Sequence, residues 1–120
     1  MFSRVLPLLV SGALLTGCAT DPGQKPDDQL ASAQSALQSA ANAGGEDVEP
    51  SMVASAREKV ATAESMMTEE RYAKARRLLE QAEVDARLAE ARAETQQVRD
   101  ELGDVRASID SLRRNLENQD

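Results

Sequence analysis

The chain has no His, no Trp, a single Cys, a single Tyr and a single Phe among its 120 residues. Without His there is no side chain whose ordinary titration falls near neutral pH, and no imidazole to hold a metal. One Cys forms neither an internal disulfide, nor a CxxC redox pair, nor a thiolate cage. Two aromatics leave nothing to stack nucleic-acid bases or to enclose a cation. A net charge of −7 works against nucleic acid and against electrostatic docking on anionic lipid, because both reward Lys and Arg. It describes a solvated, self-repelling surface. The apolar 41% is dominated by Ala, so any core is thin. Carboxylates are plentiful, but Glu80/Glu83 and Glu90/Glu94 stand at helical spacings with Arg87 and Arg92 nearby. Solvated helix faces account for them without catalysis. No enzyme activity, metal or soluble cofactor is expected.

What is present begins at the N-terminus. Arg4 is the only charge before Asp21, and an apolar stretch from Val5 to Leu15 follows it, interrupted by Pro7 and Gly12. The run is too short to span a bilayer and fits the charged and apolar regions of an export signal. It ends in Leu15-Thr16-Gly17-Cys18, which resembles the lipobox of bacterial lipoproteins. A thiol supplies the nucleophile for lipid transfer. Small residues at Thr16 and Gly17 admit the extended chain to a narrow protease cleft, and Leu15 fills an apolar subsite. The resemblance implies a signal peptide over 1–17, and diacylglycerol plus an N-acyl chain (palmitate in type) on Cys18. Three acyl chains would make the attachment effectively permanent. Residue 19 is Ala and not the Asp associated with inner-membrane retention, so the expected location is the periplasmic leaflet of the outer membrane.

Residues 18–28 read as the lipidated Cys and a tether containing Asp21-Pro22-Gly23 and Lys25-Pro26-Asp27. An all-α arrangement is expected beyond it: a helical hairpin or three-helix domain over 29–95 and a coiled-coil extension over 96–120. The first helix is predicted to be capped by Asp27 or Asp28 and to end at Gly44-Gly45, with Leu30, Ala33, Leu37 and Ala40/Ala41 on one face. Glu46 to Pro50 reads as a loop; its acids lack the spacing of a calcium loop, so no metal is assigned there. A second helix is predicted from Ser51, carrying Val53, Ala56, Val60, Ala63 and Met67, with a turn at Thr68-Glu69-Glu70. A third is predicted from Arg71 to Asn118, on the order of 70 Å long and well beyond ordinary globular length.

That helix carries two stripes. Tyr72, Ala75, Leu79, Ala82, Ala86, Ala89 and Ala93 match the second helix, and their small side chains allow an antiparallel pair to approach closely. Val84, Leu88, Ala91, Thr95, Val98, Leu102, Val105, Ile109, Leu112 and Leu116 alternate by four and three on roughly the opposite side. This is the heptad spacing of a coiled-coil seam, with only Thr95 polar. With Leu102 at a and Val105 at d, Arg92, Arg99, Arg106 and Arg113 fall at e, while Glu94 and Glu101 fall at g. A parallel pair sets Glu94 against Arg99 and Glu101 against Arg106, whereas an antiparallel pair brings Arg towards Arg. Parallel dimers or trimers are therefore expected.

The Ala54-x-Ala56-Arg57-Glu58-Lys59, Arg71-Tyr72-x-x-Ala75-Arg76-Arg77-Leu78-Leu79-x-x-Ala82 and Asp85-Ala86-Arg87-Leu88-Ala89 stretches resemble an uncharacterised family of alanine-rich bacterial lipoproteins, a domain of unknown function. Some of its members carry an OmpA-like peptidoglycan-binding domain. None is recognised in this sequence, so direct peptidoglycan binding is not carried over. The Tyr72 to Ala82 stretch also resembles half of a tetratricopeptide unit, but one unit is better read as hairpin packing. Two functions are expected to compete. One is a scaffold lipoprotein of the cell envelope that pairs with itself through the seam. The other is an accessory subunit whose long helix pairs with a different envelope protein. The basic residues Arg71, Lys74, Arg76 and Arg77 are expected to be solvated and paired within the helix, as in Glu70–Lys74, with lipid head groups or peptidoglycan as the sharper alternative.

Overall fold

The computed structural model describes residues 23–119, and these are helical with no strand among them. Four helices follow in order: α1 (Asp27–Asn42), α2 (Gly45–Val48), α3 (Pro50–Thr68) and α4 (Tyr72–Glu117). The fold is all-α, and its last helix is its longest.

Helix α4 is the spine. Two contacts a full helix apart set the direction of α1: Arg76 donates to the Gln24 carbonyl at 3.0 Å, and Gln97 donates to the Ala43 carbonyl at 3.0 Å. Helix α1 therefore runs parallel to α4. Helix α3 returns antiparallel, fixed by Lys59–Asp85 midway and by Arg92–Glu49 at 2.8 Å where it starts. The third edge, between α1 and α3, carries Gln34–Glu64 at 3.3 Å, and Arg57 reaches Glu46 on α2. The result is an up-down-up bundle with the α3–α4 turn and the start of α1 at the same end.

Small side chains build the interior. Of the fourteen buried apolar residues that form the core among the described residues, ten are Ala, joined by Val53, Val60, Met67 and Leu79. Ala at positions three and four apart clears one face of each helix and lets backbones approach closely. Tyr72, Met66 and Leu30 pack against this core from its edges while partly exposed. Among the described residues, Leu79 is the largest side chain that is wholly enclosed.

The helix ends show where the chain turns and why. Helix α3 ends in a Schellman arrangement: the Arg71 amide donates to the Met66 carbonyl at 2.9 Å, and the Glu70 amide to Met67 at 3.2 Å. Glu70 takes the left-handed conformation, φ 57°, that Gly usually fills. The expected Glu70–Lys74 pair is consequently not made, because Glu70 has left the helical path; Arg71 pairs with Glu69 instead. Gly44 adopts φ 81° after α1, and a Cβ on Gly45 would lie 2.8 Å from the Ala40 carbonyl oxygen. The Gly-Gly step is thus required twice over.

Two expected details differ. Neither Asp27 nor Asp28 caps α1: Pro26 occupies the cap position, and both acids lie in the first turn, favourably placed for the helix dipole. The segment expected as a loop from Glu46 holds one short helical turn, α2, which links α1 to α3 alongside the middle of α4. Pro50 occupies the first turn of α3, where its missing amide costs nothing.

Candidate assembly surface

The inner face of α4 is buried at Ala75, Leu79, Ala82, Ala86, Ala89 and Ala93. Continuing the same spacing gives Gln96, Asp100, Gly103, Ala107 and Asp110. The apolar stripe stops where its partners stop, since α1 ends at Asn42 and Gln97 bonds to the carbonyl of Ala43 just past that end. Beyond Ala93, α4 continues for 24 residues as a single helix, about 36 Å at 1.5 Å per residue. All residues from 97 to 119 are exposed.

The outer face behaves differently. Val84 is two positions from both Ala82 and Ala86, which places it across the helix from the bundle. The row of Val98, Leu102, Val105, Ile109, Leu112 and Leu116 starts beside the bundle and runs almost to the end of α4. These six side chains are each between 48% and 66% exposed. Scattered apolar residues on a surface mean little, but six in register along one helix form a continuous patch, and such patches mark interaction sites.

The charges beside the row are free. Among the described residues, Glu94, Glu101, Arg99, Arg106 and Arg113 have no ion-pair partner within the chain, although they stand on a helix rich in both signs. Several polar side chains of this part of α4 turn back on the helix itself: Thr95 donates to the Ala91 carbonyl at 2.7 Å, Ser108 to the Asp104 carbonyl at 2.9 Å, and Gln96 to the Asp100 carboxylate at 2.8 Å.

The remaining sequence-derived positions fall as follows. Cys18 and the lipobox residues Leu15, Thr16 and Gly17 lie outside the described residues. The basic residues divide: Arg71 pairs with Glu69, and Arg76 holds the segment before α1 through the Gln24 carbonyl. Lys74 and Arg77 are exposed on the same end of the bundle. The acids near α2 serve as struts, with Glu46 on Arg57 and Glu49 on Arg92. These struts are not legible in the sequence, because partners 11 and 43 residues apart meet only once the helices have packed. Glu83 binds Arg87 through two hydrogen bonds, at 3.0 and 2.7 Å. Among the described residues no group of three or more Cys, Asp or Glu converges to hold a metal, and no helix is long and apolar enough to cross a membrane.

Comparison with known proteins meets this architecture directly. Residues 28–105 match DUF4398, a domain of unknown function. A crystal structure of a DUF4398 family protein from Pseudomonas aeruginosa PAO1 is similar, with a TM-score of 0.75 and 41% sequence identity over 81% of this chain and 100% of that one. No curated protein matches the chain. By the extent of the family match and by this likeness, the chain belongs to the DUF4398 family.

Proposed function

We propose that this protein is a lipid-anchored periplasmic scaffold of the bacterial cell envelope that associates with itself through a parallel coiled coil of α4. The observation that carries the reading is the uncovered heptad row from Val98 to Leu116 on a helix that outruns its own bundle. A fold that needed only a three-helix bundle would stop α4 near residue 97. The additional 20 residues of α4 up to Glu117 cost solvation of their apolar row, and pairing with a second copy removes that cost.

Topology supports the anchored part of the reading. Helix α1 begins nine residues after Cys18, a tether too short to reach far from a membrane. Because α1 and α4 are parallel, the tethered end of the bundle is opposite the end from which α4 projects. The extension of every anchored copy then points away from the lipid in the same sense, which is the orientation a parallel coil needs. The charge pattern agrees, since Glu94 and Glu101 meet Arg99 and Arg106 of a second copy only in that orientation.

Photo-crosslinking from Ile109 in intact cells tests the proposal. A product of two copies of this chain supports it. A product with a different protein, and none between copies, replaces it with the accessory-subunit reading.

A further inference from the structure

The heptad row does not stop at the bundle, and the way it changes there sets the shape of the assembly. Below Val98 the core positions are Thr95, Ala91, Leu88 and Val84, and the next one down is Gln81. Ala91 and Thr95 are consecutive, so the weakest step of the seam, one methyl and one hydroxyl, lies beside the last buried residue of the bundle, Ala93.

Charge changes sign of effect at the same place. In a parallel pair the g residue of one copy faces the e residue five positions later on the other. Above the bundle these pairs are Glu94 with Arg99 and Glu101 with Arg106, opposite in sign and free of partners within the chain. Along the bundle they are Glu80 with Asp85 and Arg87 with Arg92, each of like sign. Three of these four are also engaged within their own chain: Asp85 with Lys59, Arg87 with Glu83 and Arg92 with Glu49. The buried face of α4 lies opposite the seam, so bulk does not hold the bundles apart; a poor seam without opposite-sign pairs leaves nothing to draw them together.

From this change of sign we infer that copies of the chain pair only through residues 98–116 and diverge below Thr95. The assembly is a fork: one coiled-coil stalk from which separate three-helix bundles branch. The occupant of the seam is a second copy of this chain, chosen by the complementary charges above residue 93. Leu88, 42% exposed, and Val84 remain uncovered on the backs of the bundles. This inference rests on the self-association proposed above. Its consequence is that each bundle can meet the membrane, or another molecule, independently of its neighbour.

Disulfide formation in the full-length protein distinguishes the fork from a continuous coil. Leu88→Cys and Ile109→Cys occupy the same a position of the heptad, and both sites are exposed, so neither change touches the bundle core. The unaltered chain, whose one cysteine is Cys18 with its sulfur taken up as a thioether by the proposed lipid, sets the background. Under mild oxidation in membranes, Ile109→Cys is expected to link copy to copy. Leu88→Cys is expected to give about tenfold less product, because its thiols stand beyond bridging distance. Equal yields at the two sites overturn the fork and leave self-association standing. Absence of product at Ile109 overturns both.

Discussion

Replacing Leu79 with Ala tests whether the bundle depends on one large side chain set among small ones. Leu79 is wholly buried, and most of its buried neighbours are Ala. A buried Ala contributes one methyl group, about 0.8 kcal/mol on transfer from water. Leu79→Ala removes three carbons, about 2.4 kcal/mol by the same measure. The hole left behind is lined by short side chains that cannot swing into it, which raises the total to about 3–4 kcal/mol. For a domain of this size that corresponds to a fall in Tm on the order of 15–25 °C. Melting followed by far-ultraviolet circular dichroism reads the change. Because Leu79 faces inward, the fall should not vary with protein concentration. Leu102→Ala in the outer row should behave oppositely, with a loss that is present at high concentration and vanishes on dilution, where both chains are monomeric. A shift below about 4 °C for Leu79→Ala, equivalent to less than about 1 kcal/mol, would refute the view that the Ala-rich core hangs on this residue.

Other expectations follow from single features. Gly45→Ala forces a Cβ to within 2.8 Å of the Ala40 carbonyl oxygen and should cost about 1–3 kcal/mol in urea unfolding, as overpacking against backbone does. Glu70→Gly relieves a left-handed residue at φ 57° and should gain about 0.5–1 kcal/mol; a loss would mean that the Glu70 side chain makes a contact of its own. Arg99→Glu with Arg106→Glu should weaken self-association by about 0.5–2 kcal/mol, and adding Glu94→Arg and Glu101→Arg should restore it, as sedimentation at low salt would register. Cys18→Ser should move the protein out of the membrane fraction, whereas a variant that stays bound and processed contradicts the lipid anchor.

Much of this architecture is legible in the sequence because helical periodicity survives even where the residues are small. The turn after Thr68 and the core stripes on α3 and α4 follow from three-four spacing alone, and so does the heptad row on the far side of α4. The direction of α1 does not. Ala33, Ala36 and Ala40 fit against any Ala-lined helix, parallel or antiparallel, so only contacts such as Arg76 with the Gln24 carbonyl settle it. Helix α2 is equally hidden, since one turn is set by the closure it must make and not by its own four residues. Glu70 defeats the helical-pair expectation because backbone hydrogen bonds, not side-chain preference, fix the Schellman turn. The candidate surface was readable as a pattern. That its flanking charges are free above Ala93 and engaged below it became visible only with the bundle in place.

The mass of residues 24–120 in solution, measured by light scattering across a dilution series up to tens of micromolar, separates a self-pairing α4 from a lone one. A dimer or trimer that dissociates on dilution and is weakened by Ile109→Asp is the expected result. A chain that remains monomeric throughout, with α4 helical to its end, would contradict it.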